Sequence, residues 1–226
     1  MLGIFSAVGS FISGVVSTVG SFIASSATRL VTRLPEVVLV ARVVIDVIAT
    51  VISKVAEVLG IAPKDENPEE LGAKSMQEGT RPRSDFESTQ EYLDYLRKDV
   101  KLDEEKYAKM CPEQKIACSV LGTTMVAKSI EEKTGVELPP EFLETIYKSK
   151  LRHDQVERCI NSFADNGISS MGEMTKYITN DLSEDEASKV GGVIKDSLKE
   201  LSPSMTDAEI QQEIVAMKRS YNESQY

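Results

Sequence analysis

Five polar residues form a stripe, called here the polar stripe, within an otherwise apolar stretch between positions 36 and 60. They follow one another at intervals of three or four residues, which places their side chains on one face of a helix. Ionisable groups surrounded by apolar material must face water or one another. The five are therefore candidates for the lining of a water-filled pore, or else they form the wet edge of a buried helix. They are Arg42, Asp46, Thr50, Lys54 and Glu57.

The preceding segment, residues 2–28, carries small side chains at helical spacing. The run from Val8 to Ile12 recurs eleven residues later, from Val19 to Ile23, and this offset is three helical turns. The repeat predicts one continuous helix of about 40 Å, enough to cross a bilayer core of about 30 Å. Small residues four apart allow close helix packing, in lipid or against the second segment or a carrier. The candidates for that packing face are Gly9, Ser13, Gly14, Ser17, Ser21 and Ser25.

Patterns typical of catalysis are missing from the sequence. There is one histidine, His153, and no glycine-rich phosphate loop, zinc-type cysteine spacing or Gly-x-Ser-x-Gly elbow. The cysteines Cys111, Cys118 and Cys159 are expected to be reduced thiols in a helical core, with the first two on one helical face. We therefore expect neither an enzyme nor a cofactor or metal site.

Charge divides the chain more sharply than its average composition indicates. Residues 1–60 contain four basic and three acidic residues, whereas residues 61–226 contain 22 basic and 33 acidic ones. Such an asymmetry indicates different surroundings for the two parts. Excess acid favours solubility of the second part and argues against a nucleic-acid partner, because phosphate binding needs clustered Lys and Arg.

The predicted fold class is all-α, in three parts. Residues 1–60 are expected to form an N-terminal apolar helical hairpin of two membrane-competent helices, with the second helix over 36–60. Residues 61–84, rich in Pro and Gly, read as a linker with a short helix. Residues 85–226 are expected to form a soluble acidic helical bundle, because capping boxes and 3.6-residue periodicity recur throughout.

Local signals place several helices of this bundle. Capping boxes are predicted at Ser88 with Glu91 and at Ser183 with Glu186, and Thr206 is expected to cap the last helix. Residues 112–133 are expected to form a long amphipathic helix, and the pair of prolines at 139–140 is expected to open the next one.

The arrangement of these parts resembles a family of secreted bacterial proteins. Two Gly- and Ser-rich apolar segments come first, followed by residues 67–77, residues 85–88 and residues 91–96. This order is similar to small pore-forming effectors of bacterial type VI secretion systems. The resemblance covers about residues 1–100. It implies transport inside the haemolysin-coregulated tube protein, and depolarisation of a rival cell's inner membrane through ion-selective pores, without catalytic residues.

Three functions follow as expectations. The first is an antibacterial pore-forming toxin, made in a bacterial cytoplasm and secreted, with membrane lipid, a carrier tube, an immunity protein and further copies of itself as partners. The second is a structural or interaction protein, such as a phage ejection or assembly component, whose apolar arm docks on neighbouring subunits. The third is an enzyme that an N-terminal segment delivers across a membrane.

Overall fold

The computed structural model describes residues 4–224, and the side chains from residue 5 onward. Within these residues thirteen α-helices and one 3₁₀ helix (Arg83–Asp85) account for the regular structure and no strand occurs, which confirms the predicted all-α class. The chain divides into a first unit, which ends at Glu132, and a second unit, which begins at Lys133. The boundary predicted over residues 61–84 therefore lies inside the first unit.

The first apolar segment forms three short helices instead of one. They are α1 (Ile4–Ser13), α2 (Val16–Val19) and α3 (Ser21–Val31), so the predicted continuous helix is wrong; its first residues, Leu2 and Gly3, lie outside the described range. Gly20 stands between α2 and α3 with φ +86°, a conformation that L residues with a side chain rarely adopt. The break allows α1 to fold back on α3. Equivalent positions of the two repeat copies are buried, namely Val8 and Val19, and likewise Ile12 and Ile23.

The second apolar segment is one helix, as predicted. This helix, α4 (Val38–Val58), buries a face that includes Ile45, Ile48 and Ile52. Among residues 4–224, no helix combines the length and apolar character needed to cross a membrane. The prediction of two membrane-competent helices is thus not supported. Two features account for this difference: the first segment is broken into short helices, and α4 contains four ionisable residues.

The rest of the first unit surrounds one buried helix. The short helices α5 (Pro68–Ser75), α6 (Thr89–Lys98) and α7 (Glu104–Ala108) precede the long helix α8 (Pro112–Thr134). From Ile116 to Ala127 every residue of α8 is buried. The sequence predicted an amphipathic helix here; α8 is instead covered on all sides, as expected of a core helix.

The second unit contains five helices after the end of α8. They are α9 (Pro140–Lys148), α10 (His153–Asp165), α11 (Gly172–Thr179), α12 (Glu184–Leu201) and α13 (Asp207–Glu223). Helix α10 packs extensively on α12, and α11 contacts α9, α12 and α13. The capping box predicted at Ser183 and Glu186 is present, and a second one joins Thr206 to Glu209.

The two capping boxes predict how the second unit responds to acid. The hydrogen bond from the Ser183 hydroxyl lowers the pKa of Glu186, and the backbone hydrogen bond from Thr206 lowers the pKa of Glu209. Because both folded-state pKa values lie below the ordinary 4.5, their stabilisation is present above that pH and is lost as the pH falls through the folded values. We expect the free energy of unfolding to fall between pH 5 and pH 3, measured by urea denaturation followed by circular dichroism. The Glu186→Gln/Glu209→Gln variant should show a shallower fall, and an equal fall would contradict the assignment.

Candidate functional site

The five residues of the polar stripe line a single open cleft in the first unit. Its volume is about 360 Å³. Helix α4 forms one wall with the stripe, and the opposite wall comes from the loop before α5, the first turn of α5 and one residue of α8. The residues that complete the lining are Ala49, Ser53, Asp65, Glu66, Asn67, Pro68, Glu69 and Ser119.

Arg42 connects α4 to α5 at one end of this cleft. Its Nε donates to Asp46 Oδ2 at 2.8 Å, and its Nη1 lies 2.5 Å from Glu69 Oε2. Burial alone would lower the pKa of Arg42, but the hydrogen bond to Asp46 and the attraction of Glu69 outweigh it and raise the pKa. Arg42 therefore stays charged and holds the two carboxylates beside each other.

Glu69 is the buried centre of this end of the cleft. Only 7% of its side chain is exposed, and its second carboxylate oxygen accepts a hydrogen bond of 2.5 Å from the Tyr107 hydroxyl. Burial and this contact with a carboxylate both raise the pKa of Tyr107, so the phenol remains a donor. Sequence analysis missed Glu69, because its partners lie 27 residues before it and 38 residues after it.

The other end of the cleft is open to water. Lys54 Nζ lies 2.8 Å from Glu57 and 3.4 Å from Asp65, and the Thr50 hydroxyl donates to the backbone oxygen of Asp46 at 2.7 Å. The side chains of Lys54, Glu57 and Asp65 are 38%, 30% and 73% exposed, and ion pairs in contact with water add little stability. The lining contains five carboxylates and two basic groups, so the cleft is acidic overall.

A buried ion pair holds the loop that forms part of the cleft wall. Glu66, in the loop before α5, faces Arg97 of α6, with Nε to Oε1 at 2.5 Å and Nη2 to Oε2 at 2.9 Å. The exposed fractions of these side chains are 4% and 13%. Two parallel hydrogen bonds fix this loop to α6, since a bidentate pair restrains orientation as well as distance.

The small residues of the first segment lie on the outside of α1 to α3. Gly9 is half-buried, and Ser13, Gly14, Ser17, Ser21 and Ser25 are exposed. The helix breaks at Gly14 and Gly20 divide these residues among three helices. In this form they make no close helix-to-helix packing face within the first unit, so that role stays a prediction for another state of the chain.

Within the described part of the chain, no group of three or more His, Cys, Asp or Glu side chains is arranged to hold a metal ion. Comparison of the chain with protein families, curated proteins and solved structures yields no match.

Proposed function

We propose that this chain is an antibacterial membrane-active toxin whose N-terminal helices enter the inner membrane of a target cell and form ion-conducting pores. The observation that supports this most is the distribution of exposed apolar side chains. In the described residues, all the exposed large hydrophobic side chains except Val215 lie between Val16 and Val58, on or beside α2 to α4. Such a concentration is typical of a surface that meets lipid or a partner.

The folded form of the first unit is, in this proposal, the state before insertion. Val8, Ile12, Val19 and Ile23 are buried in it and would have to turn outward to lipid. Insertion therefore requires α1 to separate from α3, with Gly14 and Gly20 as the points where the backbone changes direction. Lipid would favour a longer helix, because unpaired backbone groups are costly in a bilayer core.

The polar stripe of α4 has a different role in each state. In the folded chain Arg42 is paired with Asp46 and Glu69, and Lys54 with Glu57. In a membrane each charge at the bilayer centre costs about 2.5–3.5 kcal/mol on insertion scales. An oligomer whose stripes face a common water-filled lumen avoids that cost. This supports a pore of several copies over a single buried anchor.

The route to the membrane is proposed on the resemblance described above. The chain would be made in a bacterial cytoplasm, shielded by a secretion tube protein and exported to a rival cell. An immunity protein would protect the producer. Exposed side chains such as Phe22 and Leu39, which are 57% and 79% exposed, are the surface that such partners would cover.

A structural or assembly protein is the second candidate. Leu39, Val43 and Val47 lie four residues apart on α4 and are exposed in the folded chain. They could dock on a neighbouring subunit without any rearrangement of the first unit. This candidate predicts a defined oligomer in plain buffer that liposomes do not change, whereas the toxin proposal predicts permeabilised liposomes.

Ser17→Asp separates folding from insertion. Ser17 is exposed on α2, so the free energy of unfolding should change by less than about 0.5 kcal/mol. If this segment enters the bilayer core, the added carboxylate should weaken insertion by roughly 2–3 kcal/mol. Dye release from liposomes of phosphatidylethanolamine and phosphatidylglycerol should then fall about 30-fold or more at equal protein concentration.

The matched control is Ser188→Asp, which adds the same charge at an exposed serine of α12 in the second unit. It should leave dye release at the wild-type level, because the proposal keeps that unit in water. Equal dye release by wild type and Ser17→Asp would show that the first segment does not enter the bilayer core.

A further inference from the structure

Three sulfur atoms converge at one place in the first unit, outside the acidic cleft. Cys118 Sγ lies 3.7 Å from Met76 Sδ and 3.8 Å from Met110 Sδ. Met76 directly follows α5, Met110 lies between α7 and α8, and Cys118 belongs to α8. The fold therefore brings together side chains from three different segments of the first unit.

The surroundings of the three sulfurs differ from those of an ordinary core contact. Cys118 is fully buried, but Met76 and Met110 are only half-buried and line a cavity of about 240 Å³. Tyr107 and Leu102 are among the other lining residues. The cavity gives an ion or small molecule a route from solvent to both thioethers.

We propose that Cys118, Met76 and Met110 form a binding site for a soft monovalent metal ion, of which Cu(I) is the representative. Cysteine thiolates and methionine thioethers are the ligands that select Cu(I). Sulfur ligands lie about 2.3 Å from a bound metal ion, so three of them in a plane around one ion are about 4 Å apart. The two separations from Cys118 Sγ, 3.7 Å to Met76 Sδ and 3.8 Å to Met110 Sδ, need a change of only a few tenths of an ångström to match this spacing.

Charge and ligand type both favour this class of ion over zinc. One thiolate and one monovalent cation form a neutral group, which suits a buried position, whereas a divalent ion would leave an excess positive charge. Zinc sites in proteins use Cys, His, Asp and Glu rather than methionine. Binding breaks the S–H bond of Cys118 and releases its proton to solvent, while the thioether lone pairs complete the coordination. The copper stays in the +1 state throughout.

The experiment is an anaerobic competition titration on the full-length chain. The exposed free thiol of Cys111 would bind Cu(I) by itself, so Cys111→Ser serves as the reference protein. Reference protein is added to Cu(I) held by a chromophoric chelator, and the loss of the chelate colour measures transfer. We expect one equivalent of Cu(I) to move to the protein, and the midpoint of thermal unfolding to rise in its presence.

The decisive variant is Met76→Leu/Met110→Leu in the same background, since leucine keeps volume and apolar character. It should retain the helical circular dichroism spectrum and lose affinity for Cu(I) by about tenfold or more. The control is Met171→Leu, at a fully buried methionine of the second unit, which should keep the reference affinity. The proposal is overturned if the reference protein takes no Cu(I) from the chelator, or if the double variant binds as tightly as the reference.

Discussion

Gly122→Ala will reduce the free energy of unfolding of the first unit by about 3 kcal/mol or more. Helix α8 meets the start of α5 at this glycine, and a Cβ at position 122 would lie 1.7 Å from the backbone oxygen of Pro68. A second glycine makes the reciprocal contact, since a Cβ at Gly72 would lie 1.9 Å from the backbone oxygen of Cys118. Both obstacles are backbone atoms, so no rotamer change relieves the clash. The two helices must move apart and leave voids along the buried length of α8.

The measurement is urea denaturation followed by circular dichroism, with hydrogen exchange of α5 and α8 as the local readout. Gly9→Ala is the matched control, because α1 belongs to the same unit and a Cβ at Gly9 meets nothing within 4 Å. It should stabilise the unit by up to about 1 kcal/mol, owing to the higher helix propensity of alanine. A Gly122→Ala protein as stable as wild type would show that α5 and α8 do not cross this closely.

Arg97→Met will cost roughly 3–5 kcal/mol at neutral pH, because it leaves the Glu66 carboxylate buried without its partner. Glu66 is 4% exposed and has both oxygens engaged by Arg97. Burial alone would lower the pKa of Arg97, yet the hydrogen bond that Arg97 donates to Glu66 outweighs burial and raises this pKa, so Arg97 is charged in the folded chain. Removal of both charges together, in Glu66→Leu/Arg97→Met, should return stability to within about 1.5 kcal/mol of wild type.

Lys109→Met is the comparison for an exposed pair. Lys109 and Glu105 are 71% and 81% exposed, with Nζ 2.5 Å from Oε1. Loss of this exposed ion pair should change the free energy of unfolding by less than about 0.5 kcal/mol. Equal effects of Arg97→Met and Lys109→Met in thermal unfolding would contradict the buried position of the Glu66–Arg97 pair.

The sequence predicts the parts of this fold whose signals are local. The stripe on α4 is visible because its polar residues recur at helical spacing in an apolar background, and all five line one cleft. The caps at Ser183 and Thr206 are likewise visible, because each places Glu three residues later. Pro140 opens α9 at its first residue as predicted, since proline fits the first turn of a helix.

Features that depend on tertiary packing were not predictable in the same way. The contacts of Glu69 with Arg42 and Tyr107 have no local signature. Helix α8 is buried on all sides, so it lacks the periodic polar face that identifies an amphipathic helix. The repeat in residues 2–28 predicts one helix, whereas Gly20 adopts a backbone conformation that ends α2. In the folded chain the apolar residues of both copies of the repeat are buried, and this tertiary arrangement has no local signal in the sequence.

The linker predicted at 61–84 shows the same limitation. Its Pro and Gly residues do break the helices, but Glu66 and Gly72 anchor it to α6 and α8 within the first unit. A high density of helix breakers identifies turns, whereas a domain boundary also requires that few contacts cross it. The described boundary lies instead at Glu132, near the C-terminal end of α8.

The most direct test of the proposed function is current through a planar bilayer of phosphatidylethanolamine and phosphatidylglycerol after addition of the purified full-length chain. The account predicts discrete conductance steps with wild-type protein and with Ser188→Asp, and far fewer steps with Ser17→Asp at the same concentration. Absence of current at every applied voltage, with folded wild-type protein bound to the bilayer, would contradict it.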